Sequence, residues 1–140
     1  MENFLGIDYG TKRIGLAINI ASLVEPLMVV GNQIDQQQLI VSEAALAQII
    51  DVCKEKKINK IILGYSEAEM ALKIQSFAKL LSEKIDLPII FSDETLSSYE
   101  VVQRMKEASF SLKKRQGPID HYSAAIILEN YLETTFCATL

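Results

Sequence analysis

Three acidic positions could do chemistry in this chain: Asp8, the Asp93-Glu94 pair and Asp120. Asp8 follows the apolar run Phe4 to Ile7 and opens Asp8-Tyr9-Gly10-Thr11, a turn in which Gly10 lets backbone or substrate approach closely. Asp93 and Glu94 follow the apolar run Pro88 to Phe91. Adjacent side chains on an extended segment point opposite ways, so one of the two is expected to face a site. Asp120 falls in the expected first turn of a last helix, where the helix dipole favours an acid by roughly 0.3–1 kcal/mol. Each acid also has a plain structural role: a turn aspartate, a solvated charge, a helix-start acid.

Taken together the three suit phosphodiester hydrolysis. That reaction needs an activated water and a sink for charge on the leaving oxygen, and two Mg²⁺ or Mn²⁺ ions about 3.5–4 Å apart serve both ends of an in-line displacement. Hard divalent cations take oxygen ligands and keep several waters, so a few carboxylates suffice. Without a cation, three converging acids would repel one another and some would take up protons. The expected catalytic and metal-binding set is therefore Asp8, Asp120 and one of Asp93 and Glu94.

Positioning them requires particular elements. Phe4 to Ile7 reads as a strand, and Arg13 to Ile20 alternates with Ile14, Leu16, Ile18 and Ile20 on one face. Leu27 to Val30 is a third strand closed by Gly31-Asn32, giving an antiparallel meander. The period then changes. Asp35 and Gln38 resemble a capping box before a stripe of Leu39, Leu46, Ile49, Ile50 and Cys53. Lys60 to Leu63 reads as a buried strand. Ser66 and Glu69 form a second box before Ile74, Phe77, Ala78, Leu81 and Ile85. Pro88 to Phe91 is the fifth strand, Ser97 and Glu100 start a helix to about Lys106, and Pro118 starts a last helix to about Glu133. Ser123, Ala124 and Ala125 line that helix with small side chains, which permit close packing on a sheet. The order βββαβαβαα implies an α/β fold with a mixed five-stranded sheet and helices on both faces. Ligands in such folds favour the carboxyl ends of strands, where Asp8 and Asp93-Glu94 fall.

At 140 residues, with 49% apolar and 23% charged residues, the chain fits one folded domain spanning 1–140 and excludes a disordered one. No apolar run approaches the ~20 residues needed to cross a membrane, and the first residues lack the basic flank and apolar stretch of an export signal. Cys53 and Cys137 stand apart without metal-ligand spacing and read as free thiols, so a reducing, cytoplasmic setting is expected. The net charge of −4 argues mildly against a nucleic-acid partner, but bound cations offset clustered acids locally. Basic residues gather near the acids. Lys12 and Arg13, and Lys114 and Arg115 beside Lys113, are candidate phosphate contacts, although an exposed charge run is usually just solvated. His121, the single histidine, neighbours Asp120 in sequence but projects about 100° away around a helix. Tyr9 and Tyr122 could stack on bases, although an aromatic at a strand end more often packs.

The segment Gly6-Ile7-Asp8-Tyr9-Gly10-Thr11-Lys12-Arg13-Ile14-Gly15-Leu16-Ala17 resembles the opening G-x-D-x-G-x-K-R-x-G-x-A signature of the YqgF/RuvX family. Asp93-Glu94-Thr95-Leu96-Ser97-Ser98 is similar to its second motif, and Asp120-His121-Tyr122-Ser123-Ala124-Ala125 to its last. The resemblance spans nearly the whole chain. It implies an RNase H-like fold, a metal-binding catalytic set at Asp8, Glu94 and Asp120, and nuclease activity in 5′-end maturation of precursor 16S rRNA during ribosome biogenesis. The family is also described as Holliday junction resolvases, so branched DNA is the alternative substrate. A non-catalytic nucleic-acid-binding assembly factor is a third reading. No dimer seam is evident, so a monomer or weak dimer is expected. Two departures bear on substrate choice: Thr95 stands where the family usually has arginine, and the loop after Gly64 is several residues shorter than the family's.

Overall fold

The computed structural model describes residues 2–21, 23–37, 39–65, 69–93 and 120–139. Five strands form one sheet: β1 (Phe4–Asp8), β2 (Arg13–Ile20), β3 (Leu23–Gly31), β4 (Lys60–Tyr65) and β5 (Ile89–Asp93). Three helices accompany them: α1 (Glu43–Glu55), α2 (Glu69–Lys84) and α3 (Asp120–Thr139). The strand order is β3-β2-β1-β4-β5. β1, β2 and β3 pair antiparallel, while β4 pairs parallel with both β1 and β5. The expected mixed sheet is present, and the carboxyl ends of β1, β4 and β5 lie on one edge. The helix expected over Ser97 to Lys106 lies outside the described residues.

Period-two alternation assigns the sheet's two faces. Leu5, Ile7, Ile14, Leu16, Ile61 and Leu63 turn one way, into a core with Ile49 of α1 and Ile74, Phe77 and Leu81 of α2. Phe4 and Ile62 turn the other way, against Ile127 and Leu128 of α3, while Ala17 meets Ala124 and Ala125. The chain reads along β1 as Phe4, Leu5, Gly6, Ile7, Asp8, so Asp8 shares the α3 face with Phe4 and Gly6.

The last helix runs on to Thr139, past the expected end near Glu133, and two further boundaries differ from the sequence expectation for a local reason. α1 begins at Glu43, capped by Ser42, whose Oγ accepts from the Ala45 N–H at 3.1 Å. Asp35 caps no helix; its Oδ1 accepts from the Gln37 N–H at 2.8 Å in a local turn, and Leu39 is 63% exposed rather than part of the apolar stripe. β3 starts at Leu23, earlier than Leu27, because it accommodates Pro26. The register shifts between Leu16 and Ala17, whose partners are Met28 and Pro26, which leaves Leu27 as the extra residue of a bulge on an edge strand. Cys53 is buried and unbridged, as expected of a free thiol, and burial pushes its pKa up from 9.0 to about 11.

α3 lies unusually close to the sheet. A Cβ on Gly6 would stand 2.8 Å from the Ala124 carbonyl oxygen and 3.0 Å from the Leu128 Cβ. Gly6→Ala is therefore expected to lower stability by roughly 1–3 kcal/mol through overpacking. Gly31→Ala, where no described atom lies within 4 Å, is expected to stay within about 0.5 kcal/mol of the parent. Urea titrations of the two variants compare them directly, and equal midpoints would contradict the close approach of α3.

Candidate functional site

Asp8 closes β1 and pairs across the antiparallel ladder with Gly15 of β2. Directly opposed residues share a face and have Cα atoms about 4.5–5.5 Å apart. Gly15 has no side chain, and the first turn of α3 fills that space. A Cβ built there would run into the Asp120 carbonyl group and stand 2.6 Å from the His121 amide nitrogen. Asp120 is thus seated over the residue beside Asp8, on the same face of the sheet. From there α3 runs back over Ala17 and Gly6 to Phe4, so its amino end, carrying the positive end of the helix dipole, points at the site.

Arg13 stands two residues before Gly15 and so shares this face as well. Its Nε donates to Asp120 Oδ2 at 3.0 Å, with side chains 51% and 25% exposed. An ion pair this open contributes about 0–1 kcal/mol. The cation predicted to meet phosphate is therefore engaged with one of the predicted metal-binding acids. Lys12 is exposed beside it.

Buried Asn32 holds the loop that carries these residues. Its Nδ2 donates to the carbonyls of Gly10 and Ile40 at 3.0 and 3.1 Å, its Oδ1 accepts from the Ser42 N–H at 2.9 Å, and its own N–H donates to the Lys12 carbonyl at 2.8 Å. Every polar atom of this buried amide has a partner. Sequence reasoning took Asn32 as the end of a strand and missed the clamp. A polar residue directly after the glycine that closes a strand is the signal that could have suggested it.

Tyr9 settles between its two readings. Its ring lies 4.9 Å from that of Phe77, and its hydroxyl donates to the Ile40 carbonyl at 2.5 Å, so it is a packing residue of the opposite face. The His121 ring lies 4.4 Å from that of Tyr122. Burial lowers the His121 pKa from its ordinary 6.5, against an upward pull from the Asp120 charge. Its Nδ1 is buried and has no hydrogen-bond partner among the described residues. Asp93 ends β5, paired with Tyr65 of β4. Glu94, Thr95, Lys114 and Arg115 lie outside the described residues. The short connection after Gly64 is present: β4 ends at Tyr65 and α2 begins at Glu69.

Asp8 and Asp120 offer hard carboxylate oxygens on one face, the donor chemistry that Mg²⁺ or Mn²⁺ takes. Among the described residues no three of His, Cys, Asp and Glu group as a metal site. No helix among them is long and apolar enough to cross a membrane.

This arrangement defines an RNase H-like fold with acids at the carboxyl edge of its parallel strands. Solved structures share it. Thermus thermophilus RuvC in complex with a Holliday junction matches at a TM-score of 0.60 and 15% identity, covering 97% of this chain and 96% of that one. The fowlpox virus Holliday junction resolvase matches at 0.58 and 15% identity, covering 95% and 99%. The family model for RuvX, described as Holliday junction resolvase, matches residues 2–134. A protein of Chlamydia trachomatis serovar A named "putative pre-16S rRNA nuclease" is 34% identical, over 95% of this chain and 93% of its own length. A relative of the same name from Maridesulfovibrio salexigens is 31% identical, over 91% and 96%. The chain belongs to the RuvX family, and with it to the phosphodiester-cleaving hydrolases that act on nucleic acid.

The clamp carries its own prediction. Asn32→Asp keeps the size but removes both N–H donors and sets a carboxylate against the Gly10 and Ile40 carbonyls. A loss of roughly 1–3 kcal/mol is expected in denaturant unfolding at neutral pH. An unchanged unfolding midpoint would show that the clamp contributes nothing.

Proposed function

We propose that this chain is a divalent-metal-dependent nuclease that matures the 5′ end of precursor 16S rRNA. The observation that carries the reading is the pairing of Asp8 with Gly15, over which the first turn of α3 sets Asp120. The names of the relatives support the RNA substrate. Asp8, Glu94 and Asp120 would hold Mg²⁺ or Mn²⁺, two ions in the full site. Held by these acids, such an ion would supply an activated water and stabilise charge on the leaving oxygen.

Glu94 enters on its motif and its position. It directly follows β5, and β4 lies between β5 and β1, which sets the β1 and β5 backbones roughly 9–10 Å apart at ordinary strand spacing. A glutamate, one methylene longer than aspartate, suits that span.

The chain's own residues then divide the work. Asp8 and Asp120 orient oxygen donors from a strand end and a helix start. Lys12, Arg13, Lys114 and Arg115 bind backbone phosphates and set the register of the strand without reading its sequence. The amino end of α3 favours the negative charge that develops at the scissile phosphate.

A second reading, cleavage of branched DNA, is favoured by the family's description and by the likeness in fold to resolvases. Symmetric junction cleavage would need two copies of this chain.

The test assays the protein and Asp8→Asn on precursor 16S rRNA and on a four-way DNA junction, with Mg²⁺, Mn²⁺ or EDTA. The reading expects cutting of the RNA, abolished by EDTA and reduced at least about 100-fold in Asp8→Asn, a barrier increase of roughly 2.7 kcal/mol. Cutting of the junction alone would support the second reading. Cutting of neither substrate, with binding retained, would overturn both.

A further inference from the structure

The inference concerns Arg13 and rests on the reading of Asp120 as a metal ligand. Arg13 has a fixed backbone and an open side chain. The backbone is held along the β3 side by pairing with Gly31 in the ladder and by the Asn32 N–H on the Lys12 carbonyl. The side chain is half exposed and donates to Asp120 Oδ2 at 3.0 Å. Opposite it, Gly31 shares its face, and no described atom lies within 4 Å of where a Cβ on Gly31 would stand. Among the described residues nothing fills that space, so the guanidinium can leave Asp120 without moving the strand.

Asp120 is also where a divalent cation would bind. A guanidinium at hydrogen-bond distance and a divalent ion at about 2.0–2.1 Å from one carboxylate repel each other, and the weaker, solvent-screened contact gives way. Arginine suits both positions, since its planar fork fits carboxylate and phosphate alike.

We propose that Arg13 competes with the divalent metal for Asp120 and, once displaced, turns to a backbone phosphate of the substrate in the space beside Gly31. Metal binding thereby releases the cation that receives the nucleic acid. The coupling is reciprocal: a phosphate that draws Arg13 away also leaves Asp120 open to metal. Metal-free protein keeps the acid neutralised and the arginine occupied.

Isothermal titration with Mn²⁺ compares the parent protein with Arg13→Gln, Arg13→Met and Asp120→Asn, each confirmed as folded by its thermal unfolding transition. The arginine variants are expected to bind Mn²⁺ roughly twofold to fivefold more tightly, the scale of a lost weak ion pair. Asp120→Asn is expected to bind it more weakly. Unchanged or weaker binding in the arginine variants, with Asp120→Asn weakened, would overturn the role of Arg13 and leave the metal site standing. Parent-like affinity in Asp120→Asn would overturn the site and the proposal with it. The unmodified protein gives an independent readout. The Arg13 Nε–H resonance of ¹⁵N-labelled protein should shift as Mg²⁺ saturates the site, and a resonance that stays fixed at saturation contradicts displacement.

Discussion

The absence of a side chain at Gly15 governs how the two described acids meet. Position 15 lies near the start of β2, directly across the ladder from Asp8, and the backbone of Asp120 and His121 occupies the space where a Cβ would project. Any larger residue would push the first turn of α3 off the sheet. Gly6 repeats the constraint under Ala124 and Leu128, so the helix is seated along its length and not at one point. The small residues Ala17, Ala124 and Ala125 complete the fit. Side chains set on a strand end and a helix start are held more precisely than side chains on loops.

The site's electrostatics follow from the same packing. With a net charge of −4, the chain as a whole does not draw in nucleic acid, and local arrangement decides. Seating α3 over Gly15 points its amino end at the site and brings Asp120 within reach of Arg13. The Asn32 clamp fixes the loop between Asp8 and Arg13 from beneath, through carbonyls at Gly10 and Lys12. The loop and the helix terminus are thereby held by neutral, buried contacts that salt does not screen, while the Arg13–Asp120 pair between them stays open to solvent.

Much of this was legible in the sequence where local signals agree. β1, β2, β4 and α2 are present where their apolar patterns put them, with Asp8 at the end of β1 and Asp120 in the first turn of α3 as expected. Local chemistry misled where two outcomes share one signal. Asp35 offers the same carboxylate to a turn as to a helix, and the turn won because Ser42 lies closer to the buried face of α1. Pro26 hid the first half of β3, since a bulge on an edge strand leaves no pattern of its own. The Arg13 to Asp120 pair joins residues 107 positions apart, and the Asn32 clamp depends on a loop folded back from Ile40 and Ser42. Contacts of that range follow from tertiary packing, to which periodicity and turn chemistry are blind.

The central claim is that Asp8 and Asp120 present their oxygens to one metal. Anomalous diffraction from crystals soaked in Mn²⁺ tests it most directly. The account predicts an anomalous peak on the α3 face beyond the end of β1, within coordination distance of both carboxylates. A fully occupied Mn²⁺ that touches neither acid, or Asp120 turned away from Asp8 with Gly15 uncovered, would contradict it.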